Sequence, residues 1–511
     1  MQRTFLILLV LGVTVRGGVW LAHGEGIVAG LVYPAEWLSD CAKATADPWF
    51  AILWEHTRPP LFAIRELARC ATADALPAGY LDMLLVAAAN TTAAAVAYLT
   101  FRRLDVGPRL AFGLAAIWSV GLIAWEYYRI FGNHNSINIA VVTFLVHAAT
   151  VRFQQPGTRS DLWFAAAGGL TVLTYGPGLI LVPALAVLSL PWRAGPYRWA
   201  LSLALAVSLP AAVYGAAGGK NYANFGVFST STYLSLNTAQ FGFISLGYEN
   251  QESQIRTLMP DLKPSPWWTW CFDRERGDGS QSLQVLRAFQ GLCIPYDRAS
   301  AVREALDAAR SMGDGRFQRS LERDLEVSET APWAIRFGSQ NMSSATEVEF
   351  NEISKRIYGL RLRQAPMAMA RTFLLANRSF FIWGPLMFDG VHHEPQAAAA
   401  PSLINAVATG LGLLFILAVA ASGVALIILA VTLVRRLRHH GVGGAVALLA
   451  PRFLSAGLFL TYLLAATIMN AVSCCENARQ FQSMSIFPLI AAGIMLRFVS
   501  DWIQRHRPNV A

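Results

Sequence analysis

Ten stretches of this chain are apolar over lengths that approach or reach a bilayer crossing, and few folds tolerate that pattern. A hydrocarbon core of ~30 Å takes about 20 residues of α-helix, and inside it every backbone polar group has to be bonded within the segment. The runs are Thr4–Ala22, Leu81–Phe101, Leu110–Tyr127, Ile137–Arg152, Leu162–Thr174, Leu179–Leu190, Trp199–Ala216, Leu403–Val434, Phe453–Ser473 and Ile486–Phe498. They predict an all-α polytopic membrane protein of about ten transmembrane helices. Only 14% of the residues are charged, whereas a soluble domain carries about a quarter.

The formal net charge is +9, but the basic residues do not form one patch, so nucleic acid is not the expected partner. With the N-terminus placed inside and the sides alternated, fifteen arginines fall in the inside loops. They run from Arg3 through Arg102, Arg103, Arg109, Arg152 and Arg159 to Arg435, Arg436, Arg438 and Arg507. Two, Arg129 and Arg479, fall in the short outside loops. That asymmetry is the positive-inside rule, and it sets topology. The first run resembles a secretory signal in its short uncharged core, Thr4–Val15. Arg16 snorkelling at the outer end of a longer helix makes it a retained span.

Three parts follow: residues 1–219, an N-terminal transmembrane module with a large extracytoplasmic first loop; 220–400, an extracytoplasmic segment; and 401–511, a C-terminal transmembrane module. Amphipathic helices are expected near Ala299–Ala309 and Thr346–Arg361, and Pro366–Phe388 is apolar enough to lie in the interface. The break Tyr175-Gly-Pro-Gly178 is read as a hairpin between two short spans. One kinked helix would put the Arg435–Arg438 cluster outside. All six cysteines fall outside, so disulfides 41–70 and 271–293 are permitted by compartment, while connectivity stays open.

Charges beside a bilayer are costly and therefore informative. On the outer side they gather in three places. The first loop, with "YPAEWLSDCAKA" and "WEHTRPPL", carries Glu36, Asp40, Glu55, His56 and Arg58. The stretch "EYYRIFGNHN" carries Glu126, Arg129, Asn133 and His134, and "CCENARQF" carries Glu476, Asn477 and Arg479. Taken singly these are ordinary loop charges. Together, three acid-plus-arginine segments on one face could line a site. A carboxylate can take a proton from a hydroxyl nucleophile, and arginine can grip phosphate oxygens with two parallel bonds.

On a helix, Glu36 and Asp40 at i and i+4 share a side, and two neighbouring acids resist double ionisation. The alternative is a solvated face with Lys43 as partner. Pro59-Pro60 predicts an extended turn that aims the loop back at the membrane. A lone histidine in each loop is not a metal site, and CxxC and HExxH spacings are absent, so no metal ligand set and no cofactor is expected. A divalent-metal requirement is not legible.

At these residues the chain resembles the GT-C superfamily of membrane glycosyltransferases. Tyr33-Pro-Ala-Glu-Trp37 is similar to the acidic motif of the dolichyl-phosphate-mannose-dependent mannosyltransferases. "WEHTRPPL" is similar to their Trp-Glu element and to the Pro-Pro-Leu of protein-mannosyl and aminoarabinose transferases. "YRIFGNHN" and "ENARQF…FPL" resemble the segment after the third span and the late motif. The chain departs at Ala35, where the mannosyltransferases carry aspartate, and at Gln480 before the late Phe. Residues 240–400 match no element of the family.

The resemblance implies a GT-C-type glycosyltransferase (a hexosyltransferase) in the bacterial inner membrane with its site facing outward. It would move a sugar from a polyprenyl-phosphate-linked donor to a hydroxyl of a lipid, glycan or protein acceptor. Asp40 or Glu36 would be the catalytic base. His56, Arg58, Arg129 and Arg479 would hold the phosphate, with Asn133, His134 and Glu476 also lining the substrate site. Nucleotide-sugar machinery is not expected, since DxD, P-loop and strand-borne GxGxxG signatures are missing. The alternative is a lipid or glycolipid transporter or flippase, which would want ionisable groups at mid-membrane and related halves. His147 is the one clear titratable group in mid-span.

Overall fold

The computed structural model describes residues 2–28, 35–55, 59–75, 80–126, 132–174, 176, 178–192, 194–225, 228–231, 298–313, 315–336, 358–359, 362–371, 402–448, 450–472 and 483–506. Among the described residues all regular structure is helical. The first half contains α1 (Gln2–Val28), α2 (Ala35–Ala46), α3 (Pro48–Trp54), α4 (Leu61–Thr72), α5 (Tyr80–Arg103), α6 (Pro108–Glu126), α7 (Gly132–Gln154), α8 (Thr158–Thr174), α9 (Gly178–Leu188) and α10 (Pro196–Phe225). The second contains α11 (Ala299–Met312), α12 (Gly315–Thr330), α13 (Pro332–Arg336), α14 (Ser402–Leu448), α15 (Ala450–Val472) and α16 (Ile486–His506).

Each of the ten apolar runs is helical, but six are long and apolar enough to cross a membrane: Arg3–Ala22, Tyr80–Arg103, Ser136–Gln154, Pro196–Asn224, Thr409–Ile428 and Ile486–Ile503. The apolar parts of α6, α9 and α15 are shorter. Helix α8 spans 17 residues and has Asp161 in its first turn. Against the expectation of about ten, six helices among the described residues are long and apolar enough to cross, and the other four runs form shorter apolar helices. α14 goes the other way. Its 47 residues make a rod of about 70 Å, more than twice a hydrocarbon core. α10 continues through Gly218-Gly219 to Phe225.

Small residues let the helices close on one another. α5 packs on α1, α6 and α7 and carries the buried Ala93, Ala94, Ala95 and Ala97, while α7 carries the buried Ala148 and Ala149. Without a side chain beyond Cβ the backbones approach closely, the packing mode favoured between helices in lipid. Gly168 works likewise in α8: a Cβ there would lie 2.9 Å from Pro210 Cγ of α10 and 3.3 Å from Val182 Cγ1 of α9.

α8 and α9 are antiparallel arms. Gly168 faces Val182, and Gly178 sits against Thr171, so the chain reverses between α8 and α9. The far ends return to one buried node built on Arg152. Its Nε donates to Asp161 Oδ1 at 2.6 Å, Nη1 to the carbonyl of Ala186 at 2.6 Å, and Nη2 to Ser202 Oγ at 2.7 Å. Ser202 Oγ also donates to Asp161 Oδ1. Arg152 is 0% exposed, so it ties four helix ends together and does not face head groups as a loop arginine would. One continuous helix through 175–177 could not bring Ala186 back to Asp161.

Arg16 differs from expectation too. It does not snorkel: it is 1% exposed, and Nη1 donates to Thr91 Oγ1 at 3.2 Å and Ser119 Oγ at 3.1 Å, with Nη2 on the Ser119 carbonyl at 3.0 Å. Polar groups of α5 and α6 solvate it from inside the bundle.

The helix ends sort into two groups. At the Arg152 end, Arg497 of α16 donates to the Leu104 carbonyl after α5, and Gln154 of α7 donates to the Arg103 carbonyl. Gly457 of α15 packs on Leu188, and Gly493 of α16 on Phe101 and Leu114. Asp105, with φ 59°, makes the left-handed step between α5 and α6 that aspartate tolerates better than most residues. The opposite end therefore collects the C-terminus of α6, the N-terminus of α7, the C-terminus of α15 and the N-terminus of α16. That is also where α2–α4 lie.

Candidate functional site

The segment between α1 and α5 folds into a cap of three helices. α2 follows Pro34 and ends at Asp47, whose Oδ1 accepts from the Phe50 N–H at 3.1 Å and starts α3, with Pro48 in its first turn. Both choices suit a helix start, since proline lacks the donor that would be orphaned there. Pro60 sits at φ −57°, ψ −32° and heads α4. The expected extended turn is thus a helix start, because proline's fixed φ is already helical.

Cys41 of α2 and Cys70 of α4 form a disulfide with a Cα–Cα distance of 5.0 Å. This is one of the two pairings the compartment permitted. Cys271, Cys293, Cys474 and Cys475 lie outside the described residues. Asp40, adjacent to the bridge, is 4% exposed, and Ala44 one turn later is fully buried. The stripe of α2 that carries Asp40 therefore faces the protein and not solvent. Glu36 lies one turn earlier on the same helix, but its side chain is outside the described residues.

α4 contributes an ionic cluster that sequence reasoning missed. Glu66 accepts from Arg65 at 2.7 Å and from Arg69 at 2.9 Å, and Arg69 Nε reaches Asp82 Oδ2 of α5 at 2.9 Å. Burial works against the Glu66 carboxylate, but Arg69 and Arg65 together outweigh it and hold its pKa below the ordinary value. Each carboxylate here has guanidinium within bonding distance, which is what lets charge persist out of water. The available signal was the Arg65, Glu66, Arg69 spacing on one amphipathic helix, followed by an acid that opens an apolar run.

The C-terminal turn of α3 is held from α10. Lys220 donates to the carbonyls of Glu55 and, at 3.3 Å, Ile52, and Asn224 donates to that of Leu53 at 3.2 Å. A cation on the last carbonyls of a helix complements its dipole. On the other flank Trp333 of α13 is buried against Phe50, ring centroids 5.8 Å apart, and Phe50 stacks on Trp54. α13, within the segment expected to be extracytoplasmic, thus packs on α2 and α3 of the cap. α11, expected near Ala299–Ala309, is present as Ala299–Met312, while Thr346–Arg361 falls almost wholly outside the described residues.

His56, Arg58, Arg129, Glu476 and Arg479 lie outside the described residues, and Asn133 and His134 are located only as first-turn positions of α7. What the fold does establish is where these segments attach. The described ends of α6 and α7 that flank residues 127–131 in the chain, and those of α15 and α16 that flank 473–482, are at the end of the bundle that holds α2–α4. Among the described residues, no group of three or more His, Cys, Asp or Glu could hold a metal. Chemically, the cap offers a water-poor carboxylate, Asp40, held rigidly by a disulfide beside an apolar bundle. Such a group can accept a proton from a hydroxyl or orient it.

Fold and site together define an all-helical integral membrane protein with a disulfide-stapled acidic cap on one end of its bundle. No family model and no curated protein matches the chain. Two solved structures are similar to it over 98% of its length, both of ArnT from Cupriavidus metallidurans. The form bound to undecaprenyl phosphate gives 14% identity, 81% coverage of that chain and a TM-score of 0.31. The apo form gives 14%, 80% and 0.32.

Proposed function

We propose that this protein is a GT-C-type glycosyltransferase that moves a sugar, a hexose in the simplest case, from a polyprenyl-phosphate-linked donor to an acceptor hydroxyl of a lipid, glycan or protein. The observation that carries the reading is the burial of Asp40 on the stapled helix α2, within the motif "YPAEWLSD" that resembles the acidic loop of that superfamily. The reaction would run at the α2–α4 end of the bundle, outward-facing in a bacterial plasma membrane. Residues 1–219 and 401–511 would form the membrane body and 220–400 an extracytoplasmic segment.

In this mechanism Asp40, or Glu36 one turn before it, takes the proton of the acceptor hydroxyl. The oxygen then bonds to the anomeric carbon as the bond from that carbon to the phosphate oxygen breaks, and polyprenyl phosphate leaves with the electron pair. His56, Arg58, Arg129 and Arg479 would neutralise the leaving phosphate, with Asn133, His134 and Glu476 holding the sugar or acceptor. A phosphate at the membrane surface is where lipid-linked donors present theirs, so the reading suits its ligand.

One observation favours a transporter instead: Arg16 is a charged group inside the first apolar helix. Its bonds to Thr91, Ser119 and the Gly12 carbonyl make it a packing element between α1, α5 and α6. The test is reconstitution of the purified protein in liposomes with undecaprenyl-phosphate hexose and a panel of hydroxyl acceptors, read by mass spectrometry. Sugar transfer supports the proposal. Lipid movement across the bilayer without transfer would install the flippase reading.

A further inference from the structure

We propose that Arg69 and Asp82 are positioning residues for the acid on α2, acting through the Cys41–Cys70 bridge; the inference rests on the reading of Asp40 as the group that meets the acceptor hydroxyl. The relevant residues are neighbours in a row. Asp40 precedes Cys41, Cys41 is bonded to Cys70, Cys70 follows Arg69, and Arg69 Nε reaches Asp82 Oδ2 at 2.9 Å. A covalent link and an ion pair therefore run in series from the candidate base to the first turn of α5. That helix is a candidate span packed on α1, α6 and α7.

The ionic joint is fixed on two sides. Arg69 Nη1 lies 3.0 and 2.9 Å from the two Glu66 oxygens while its Nε faces Asp82. A guanidinium is planar and rigid, so partners on two of its sides set its orientation as well as its place. Glu66 is gripped in turn by Arg65 at 2.7 Å, and Arg65 lies over the Phe62 ring. The Arg69 and Asp82 side chains are 13% and 1% exposed, so salt screens the pair little. α2 makes its main packing contacts with α3, α4 and α13, none of them a span, so its place relative to the bundle is passed on through other helices. α10 holds α3 by hydrogen bonds, whereas the hold of α5 on α4 continues to α2 by a covalent route. A base has to sit within hydrogen-bond reach of its hydroxyl, and a shift of about 1 Å can cost on the order of 10²-fold in rate.

The experiment uses the full chain in liposomes with undecaprenyl-phosphate hexose as donor. Asp82→Ala, the Cys41→Ser, Cys70→Ser variant and their combination are compared. Each alone should lower kcat about 10–100-fold with KM for the donor lipid unchanged, and Asp82→Glu, which keeps the carboxylate, should retain most of the rate. Links in series fail once, so the combined loss should equal the larger single loss; independent stabilising contacts would multiply their effects. Spin labels carried on p-acetylphenylalanine at Lys43 of α2 and Arg109 of α6, both exposed, report the place of α2 by pulsed electron paramagnetic resonance. Their distance distribution should broaden alike in Asp82→Ala and in the cysteine variant. Multiplying losses, or a distribution unchanged by Asp82→Ala, would overturn the proposal. Asp82→Asn, of the same size, takes its place if Asp82→Ala does not fold. Full transfer by Asp40→Asn would remove Asp40 as the base instead, and the distances, which need no activity, then decide whether Arg69 and Asp82 set the place of α2.

Discussion

Lys220 donates its ammonium to the backbone carbonyl of Glu55, 165 positions earlier, so the last span of the first half closes the last turn of α3. Glu55 is itself buried. The cap is therefore held by the bundle it covers. Lys220→Met should free the carbonyls of Ile52 and Glu55 and cost about 1–3 kcal/mol, the range for leaving buried polar groups unmet. Hydrogen exchange over residues 48–55 reads this directly, and unchanged protection would refute it.

Asp40→Asn keeps size and removes the proton acceptor. Under the proposed reaction, transfer should fall on the order of 10²–10⁴-fold, the usual share of a positioned acid–base group. Donor binding should stay intact. Glu36→Gln is the milder change if Glu36 only orients the acceptor. Full activity in both variants would remove the base from this loop.

The Cys41–Cys70 bridge joins residues 29 positions apart. Loops of that size give roughly 2–4 kcal/mol. The Cys41→Ser, Cys70→Ser double variant should make α2–α4 susceptible to limited proteolysis at temperatures where the parent resists, while the Arg152 end of the bundle stays protected.

Asp161→Ala leaves Arg152 buried and without its carboxylate. Breaking such a pair costs about 3–5 kcal/mol, so folded yield in detergent should drop sharply. Replacing both with apolar residues of similar volume should recover much of it. Equal yields for single and double variants would show that the serine and carbonyl bonds suffice.

The cap's acid stability should depend on Glu66. Its folded pKa lies below the ordinary value of 4.5 because Arg69 and Arg65 outweigh burial. A depressed carboxylate stabilises the fold fully above its unfolded pKa, and that contribution disappears as pH falls through the folded one. Thermal melts of the cap should be flat in this respect from neutrality to about pH 5, then decline below about pH 4. Glu66→Gln should lower stability at neutral pH and flatten the acid limb.

Sequence alone determined the class of fold. Hydrocarbon admits helices whose backbones satisfy themselves, so each apolar run had to be helical whatever packed beside it, and every one of the ten is. The reversal between α8 and α9 was legible for a related reason, since Gly-Pro-Gly breaks a helix locally. Asp40 and Glu36 stood out because acids beside a membrane are costly. None of these inferences needs a partner distant in the chain.

Tertiary structure decided everything that depends on such a partner. Arg16 and Arg152 read as boundary charges, yet both are buried, because α5 and α6 bring Thr91 and Ser119 to one, and Asp161 and Ser202 meet the other at a node of four helix ends. The spacing of Arg65, Glu66 and Arg69 hinted at an ionic helix face but not at its closure onto Asp82 of α5, and nothing local announces that Trp333 meets Phe50 or that Lys220 meets Glu55. Buried charge survives only where the fold supplies its counter-groups, and several of those, Ser119 for Arg16 and Ser202 for Arg152 among them, come from other helices far along the chain. Apolar periodicity says that a helix exists and which solvent it suits. Which charge it shelters is settled only when the helices pack.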